Sequence, residues 1–279
     1  MMGRETAKQR LGDSVLRNAM LGLLSASSLL FLTQSGVVLA EGSQPALLTE
    51  QACRSERVAA FEARAALPFL AGFDAQPMTI VAIGSSSTEG IIRNARNKVY
   101  PAAMQTALSR LWPKAEITVI NKGKGGERMA QTIARFETDV LALKPSLVVW
   151  QLGVNDVLAY KGVEGRREEI QAGLKVLTGQ GIPVILLDLQ YAPMMINDPD
   201  TLPMQGLIDL AVRSGPRGRV FHFRRFALMK QLAERHHVPQ SEMIDPDGLH
   251  MTDAMHGCVG MLLAEMIGFE QITAINNRP

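Results

Sequence analysis

Residues 78–90 read Met-Thr-Ile-Val-Ala-Ile-Gly-Ser-Ser-Ser-Thr-Glu-Gly, an apolar run followed by hydroxyl side chains between Gly84 and Gly90. Met78–Ile83 has the length and the β-rich composition of a strand. The strand therefore leads into a turn that carries three adjacent serines and a threonine.

Further β-rich runs follow along the chain, and stretches with helical spacing of apolar residues lie between them. The runs are Ile117–Ile120, Leu147–Gln151, Val184–Leu189 and the weaker Arg219–Phe223, and the helical stretches are Tyr100–Leu111, Glu127–Leu143, Glu164–Thr178, Met204–Val212, Phe226–His236 and Met251–Ile267. The middle runs are apolar on both faces, as strands buried between helices must be. This alternation predicts an α/β fold, a three-layer α/β/α sandwich with a mostly parallel sheet of about five strands and reactive groups at the carboxyl ends of the strands.

The composition is that of a globular protein. The chain has 279 residues, of which 47% are hydrophobic and 20% are charged, which excludes a disordered or collagen-like chain. The formal net charge is +2, and all of this excess lies in residues 1–40, so the rest of the chain is formally neutral. A charge this small disfavours binding to nucleic acid, and neither a nucleic-acid partner nor a stable protein partner is expected.

Residues 1–40 have the features of a secretory signal peptide. A positively charged segment ending at Arg17 precedes the apolar run Ala19–Leu32, and small residues near Ala40 suit cleavage there. The alternative is an uncleaved membrane anchor, which the serines and threonine of this stretch disfavour. In either case we expect the bulk of the chain to be exported to a bacterial periplasm or beyond.

The rest of the chain divides into three parts. Residues 41–77 are predicted to form a helical N-terminal extension, because residues 47–66 are rich in Ala, Glu and Arg with apolar positions at helical spacing. Residues 78–270 have the size of one domain, and residues 271–279 form a C-terminal tail.

The chain has two cysteines, Cys53 and Cys258. An oxidising compartment permits a disulfide between them, which would close a long loop, and two separate buried thiols are the alternative. Two distant cysteines lack the spacing of a zinc site.

The serine-rich turn does not fit two common motifs. A phosphate-binding loop needs Lys and then Ser or Thr after its second glycine, whereas Gly90 is followed by Ile91 and Ile92. The nucleophile elbow of the larger α/β-hydrolases needs glycine where Thr88 stands.

Three other polar segments follow in the chain, two of them just after predicted strands. They are Asn121-Lys122-Gly123-Lys124-Gly125-Gly126 after the second strand, Gly153-Val154-Asn155-Asp156 after the third, and Asp247-Gly248-Leu249-His250 near the C-terminus. Together with the serine turn, they resemble the four blocks of the SGNH hydrolases, the GDSL-type esterases and lipases, over roughly residues 78–267.

This resemblance implies a flavodoxin-like sheet and a serine esterase without a cofactor. It implies Ser86 as the nucleophile, Asp247 and His250 as its partners, and the oxyanion hole formed by Ser86, Gly126 and Asn155. The chain departs from the family pattern at two residues, since Ser85 and Ser87 stand where the family usually has Asp and Leu. Gly125 is a one-residue alternative to Gly126, and Asp245 is a rival to Asp247.

The chemistry of these residue types supports the same roles. A serine hydroxyl is a poor nucleophile at neutral pH and needs an adjacent base, which His250 can supply. A carboxylate three residues before the histidine can accept the other imidazole N–H and fix the tautomer. Backbone N–H groups and the Asn155 amide can stabilise the developing oxyanion.

Structural roles are expected for the other histidines, His222, His236, His237 and His256, with a functional role for His256 as the less favoured alternative. A metal site built from His250, Asp253 and His256 lacks the usual spacing, and no metal is expected.

We expect the substrate to be an O-acetyl ester of an envelope or extracellular carbohydrate. The alternatives are a lipase or thioesterase, an acyltransferase, or a non-catalytic glycan-binding module of the same fold. A basic cluster of Arg93, Arg96 and Lys98 would suit an anionic glycan, or it is a solvated loop. Tyr191–Ile196 would suit an acyl chain if it forms an apolar rim, although methionine also fills cores.

Overall fold

The computed structural model describes residues 47–61, 77–90, 98–159 and 161–276. The predicted signal peptide, Arg93 and Arg96 lie outside these ranges. Within the described part of the chain, no helix combines the length and the hydropathy needed to cross a bilayer. The division of the chain at residues 40, 77 and 270 stays a prediction.

The core is a five-stranded parallel sheet with the order β2-β1-β3-β4-β5. The strands are β1 (Met78–Gly84), β2 (Ile117–Gly123), β3 (Leu147–Gln151), β4 (Val184–Leu187) and β5 (Val220–Phe223). The central strands β3 and β4 are buried along their whole length, as their apolar runs predict. The predicted α/β/α sandwich with a parallel sheet is confirmed.

Helices cover the two faces of the sheet. The long helices are α4 (Tyr100–Leu111), α8 (Arg166–Gly179), α10 (Thr201–Ser214), α11 (Arg225–Arg235) and α13 (Asp253–Asn276). The short helices are α1 (Glu50–Ser55), α2 (Arg57–Ala60), α3 (Ser86–Glu89), α5 (Met129–Ala134), α6 (Phe136–Asp139), α7 (Val154–Ala159), α9 (Pro193–Ile196) and α12 (Gln240–Met243), with a 3-10 turn at Leu141–Leu143. Helix α4 packs against α13, whereas α8 packs against α5 and α10.

The helical stretch predicted over Glu127–Leu143 is divided in the structure into α5, α6 and the 3-10 turn. The break falls at Arg135, whose guanidinium Nη2 lies 2.8 Å from Glu127 Oε2 and donates to the Lys122 carbonyl at 3.0 Å. These contacts hold the junction close to the end of β2, so the chain turns there instead of continuing straight.

Among the other boundaries that differ from the predicted ones, two have clear tertiary reasons. Strand β4 ends at Leu187 because Asp188 turns to accept the backbone N–H of Phe226 near the start of α11, at 3.1 Å. Helix α13 continues past Ile267 through Gly268, which packs closely on Trp112: a Cβ there would lie 1.9 Å from a ring carbon of that side chain.

Residues 47–61 pack onto the sheet domain through α1 and α2. Cys53 and Cys258 form a disulfide with a Cα–Cα distance of 5.8 Å, which decides between the two alternatives for the cysteines. The Glu242 carboxylate also accepts the N–H groups of Leu47 and Leu48, at 3.2 and 2.8 Å. The N-terminal segment is therefore bonded to the elements that lead into α13.

His222 lies between two carboxylates at the edge of the sheet. Its Nδ1 is 3.0 Å from Asp209 Oδ1, and its Nε2 is 3.4 Å from Asp188 Oδ2. Burial works to lower the pKa of His222, but the hydrogen bonds and charges of the two carboxylates outweigh it and raise the pKa to about 9. The histidine is thus a buried cation at neutral pH that ties β5 to its neighbours.

The disulfide closes a loop between residues 205 positions apart, so its reduction should release considerable entropy to the unfolded chain. We expect reduction to lower the free energy of unfolding by about 2–5 kcal/mol. The measurement is chemical denaturation with and without reductant. The double variant Cys53→Ser/Cys258→Ser should have the denaturation midpoint of the reduced protein, and adding reductant should not change it. If the wild-type midpoint stays the same after reduction has released both thiols, the disulfide does not have this stabilising role.

Candidate active site

Ser86 begins α3 directly after β1, at the carboxyl edge of the sheet. Its Oγ is 2.8 Å from His250 Nε2, although the two residues are 164 positions apart in sequence. Both side chains are half-buried, so a substrate can reach the serine while the protein fixes its position.

The turn before α13 carries His250 and orients it. Asp247 Oδ2 is 2.7 Å from His250 Nδ1, and Asp247 Oδ1 accepts the backbone N–H groups of Leu249 and His250, each at 2.9 Å. Burial works to raise the pKa of the Asp247 carboxyl, but these hydrogen bonds and the imidazole outweigh it and hold the pKa below its usual value. An ionised Asp247 keeps a proton on Nδ1, which leaves Nε2 to accept from Ser86.

Asp245 brackets the same turn through its backbone. Its N–H donates to the His250 carbonyl at 2.8 Å, and its carbonyl accepts the N–H of Gly248 at 3.0 Å. The carboxylate that contacts the imidazole is that of Asp247, as the motif implies.

Ser85 and Ser86 have different partners, and the partner of Ser85 is Gln151. Its Oε1 accepts the backbone N–H of Ser85 at 2.8 Å and the Ser85 hydroxyl at 3.0 Å. Ser85 and Ser87 are both buried. Ser86 is the serine that contacts His250, so the structure and the motif agree on its position in the run.

The loop after β2 brings Gly126 to the same edge of the sheet. Gly126 has a φ of +76°, a left-handed conformation that favours glycine. The N–H of Gly125 is donated to Glu89 Oε2 at 2.6 Å. This bond already occupies the donor of Gly125, so of the two glycines Gly126 is the better placed to donate its N–H to a ligand.

Asn155 lies at the start of α7, after β3. Its Nδ2 donates to the Glu127 carbonyl at 2.9 Å. A side-chain amide has two N–H groups, so this bond fixes the amide plane and leaves the second N–H for a ligand. Asp156 supports the same loop by accepting the backbone N–H of Met129 at 3.2 Å.

An open cavity of about 340 Å³ lies beside these donors. Its lining mixes polar and apolar residues, namely Gly126, Arg128, Gln131, Asn155, Leu158 and Ala159. Such a lining can bind either hydroxyl groups or a short acyl group.

The segment predicted as an apolar rim lies next to the histidine turn. Helix α9 exposes Met194 and Ile196, and the Met194 N–H donates to the Gly248 carbonyl at 3.2 Å. The described member of the predicted basic cluster, Lys98, is 2.8 Å from Asp253 Oδ2. That ion pair places Lys98 near the start of α13.

His256 is buried one turn into α13. Its Nδ1 accepts the backbone N–H of Tyr100 at 3.2 Å. Burial, with the charge of Arg225 and His250, lowers the pKa of His256 to about 3, so the ring is neutral. Among the residues that the structure describes, no group of three His, Cys, Asp or Glu side chains is arranged to hold a metal ion.

Sequence reasoning missed two residues: Gln151, which accepts from Ser85, and Glu89, which accepts the Gly125 N–H in the loop after β2. A signal for Gln151 was present, because it is a polar residue at the carboxyl end of an otherwise apolar strand. Glu89 carried no such signal, since its partner is a backbone N–H in a loop 36 positions away.

The model of the non-GDSL lipase-like family matches residues 53–271, which is most of the chain. The chain therefore belongs to this family, and the resemblance to the SGNH hydrolases is confirmed.

Individual relatives are more distant. An acetylxylan esterase of Geobacillus stearothermophilus is 29% identical over 116 residues, which cover 39% of this chain and 53% of that protein. The chain thus spans about half the length of this curated relative.

Solved structures share the fold. A two-domain esterase active on acetylated mannans has a TM-score of 0.56 at 23% identity, covering 76% of this chain and 53% of that one. The structure of TesA has a TM-score of 0.56 at 19% sequence identity, and the match covers 68% of this chain and 98% of that one. The structure of an acetylxylan esterase from Geobacillus stearothermophilus has a TM-score of 0.55 at 23% sequence identity, and the match covers 69% of this chain and 94% of that one.

Proposed function

We propose that the protein is a carboxylic ester hydrolase with Ser86 as its nucleophile, acting on O-acetyl esters of carbohydrates. The observation that supports this most directly is the hydrogen-bonded series Ser86–His250–Asp247, with distances of 2.8 and 2.7 Å. Its order is that of nucleophile, base and orienting carboxylate in serine hydrolases.

In the first half of the reaction, His250 Nε2 takes the proton from Ser86 Oγ as the oxygen attacks the ester carbonyl carbon. The carbonyl oxygen becomes an oxyanion, which accepts hydrogen bonds from the N–H groups of Ser86 and Gly126 and from Asn155 Nδ2. The protonated His250 then donates its proton to the leaving alcohol, so the sugar hydroxyl departs and an acyl-enzyme remains on Ser86.

In the second half, water replaces the alcohol. His250 removes a proton from this water as it attacks the acyl carbon, and the same donors stabilise the second oxyanion. Proton return to Ser86 Oγ releases the carboxylic acid and restores the enzyme. Asp247 stays ionised throughout and stabilises the imidazolium of His250.

The preference for a short acyl group on a carbohydrate has two supports. The matched relative is named as an acetylxylan esterase, and a solved structure of the same fold is active on acetylated mannans. In addition, Arg128 and Gln131 bring polar side chains to the cavity beside Asn155, where sugar hydroxyls can hydrogen-bond. Exposed Met194 and Ile196 favour a second candidate, an esterase for longer acyl chains.

We also propose that the chain is exported, with residues 1–40 as the signal peptide and the hydrolase domain over 78–270. The leader composition supports this, and so does the Cys53–Cys258 disulfide, since disulfides persist in oxidising compartments.

Ser86→Ala and His250→Ala should each lower kcat for 4-nitrophenyl acetate to the background rate, because the nucleophile or its base is lost. Asn155→Ala should keep the fold and lose about a hundredfold in kcat, the effect of removing one oxyanion donor. Ser214→Ala, at the exposed end of α10, is the matched control and should behave as wild type. Full activity in Ser86→Ala, with loss in Ser85→Ala, would contradict the assignment.

A series of nitrophenyl esters from acetate to decanoate tests the acyl preference. We expect kcat/KM to be highest for acetate, and we expect acetate release from acetylated xylan or mannan. If kcat/KM rises towards the octanoate, and Met194→Ser reverses this rise, the long-chain esterase is the better assignment.

A further inference from the structure

The loop of residues 123–127, here called the oxyanion loop, lies directly on the backbone of α3. The Lys124 N–H donates to the Gly84 carbonyl at 2.9 Å, and Asn121 Nδ2 donates to the Thr88 carbonyl at 2.6 Å. A Cβ on Gly123 would lie 2.1 Å from the backbone nitrogen of Glu89, so only glycine permits this approach. The serine turn and the oxyanion loop are thus in backbone contact.

The tip of this loop is a turn of two glycines, closed by a hydrogen bond from the Glu127 N–H to the Lys124 carbonyl at 3.3 Å. Gly125 and Gly126 have no side chains, and a Cβ built on Gly126 would meet nothing within 4 Å. Consecutive glycines leave the backbone free to adopt many conformations. An oxyanion donor, however, contributes most when its direction is set before the reaction begins.

Two side chains restrain the tip, one on each side of Gly126. Glu89 Oε2 accepts the N–H of Gly125 at 2.6 Å, and Asn155 Nδ2 donates to the Glu127 carbonyl at 2.9 Å. Hydrogen bonds to a carboxylate are stronger than those between neutral groups. Glu89 is also the last residue of α3, the helix that Ser86 begins.

We propose that Glu89 is a positioning residue that fixes the direction of the Gly126 N–H relative to Ser86; this rests on the proposed function of those two residues. Glu89 acts through the Gly125 N–H and does not touch the substrate. Its negative charge opposes a developing oxyanion nearby, so its contribution comes from geometry. Losing it should lower kcat and leave KM nearly unchanged, because the donor acts mainly in the transition state.

Two substitutions separate geometry from charge. Glu89→Gln keeps the length and an oxygen that can accept the Gly125 N–H, and it removes the charge. Glu89→Asp keeps the charge, but its side chain is shorter by one methylene and does not reach the Gly125 N–H. We expect Glu89→Gln to stay within about threefold of wild-type kcat, and Glu89→Asp and Glu89→Ala to lose about 10- to 100-fold, with KM within about twofold. Glu168→Ala, on the exposed face of α8, is the matched control and should behave as wild type.

Amide hydrogen exchange at Gly125, measured by NMR on the full chain, gives a readout that does not need catalysis. Exchange should be slow in wild type and Glu89→Gln and faster in Glu89→Asp and Glu89→Ala, with unfolding temperatures recorded for each variant. Activity in Glu89→Asp with loss in Glu89→Gln, or wild-type kcat and Gly125 exchange in Glu89→Ala, would overturn the proposal. A wild-type protein with no esterase activity would refute the proposed function instead, and Gly125 exchange would still show whether Glu89 holds the loop.

Discussion

The hydrogen bond from Ser86 to His250 joins the first strand of the sheet to the turn before the last helix, and the rest of the site depends on it. Ser86 follows β1, which lies between β2 and β3 in the sheet. His250 is held by a tight turn that an antiparallel bridge between Ile244 and Met251 closes. The disulfide from Cys53 to Cys258 then secures the first turns of α13, just after that turn.

A buried polar layer lies beneath the serine turn and supports it. Gln151 accepts from Ser85, the Thr88 hydroxyl lies 3.0 Å from the Tyr100 hydroxyl, and the Tyr100 N–H donates to His256. A buried polar group without a hydrogen-bond partner costs free energy of folding. These side chains can therefore adopt few other arrangements that keep all of them paired. Burial raises the pKa of the Tyr100 hydroxyl well above its usual value, which keeps it neutral and able to donate. The result is a rigid base for a reactive hydroxyl that itself stays accessible.

The spacing of apolar residues predicted the sheet, and the resemblance to the SGNH hydrolases supplied the candidate residues at its edge. Apolar runs of strand length predicted all five strands, and the motif residues from Ser86 to His250 meet at their carboxyl ends. What failed depended on tertiary contacts that the spacing of apolar residues does not show. The break at Arg135 follows from its bonds to Glu127 and to the end of β2, and the length of α13 follows from the packing of Gly268 on Trp112. Trp112 and Gly268 share no local window of sequence, and the pairing of Arg135 with Glu127, 8 positions away, is not visible in the spacing of apolar residues.

The most direct test of the account is to identify the nucleophile chemically. The folded chain is treated with a fluorophosphonate, which forms a stable adduct with an activated serine, and the modified residue is located by tandem mass spectrometry. A single adduct is expected on Ser86, and the His250→Ala variant should fail to form it. An adduct on Ser85 or Ser87, or no adduct on a folded sample, would contradict it.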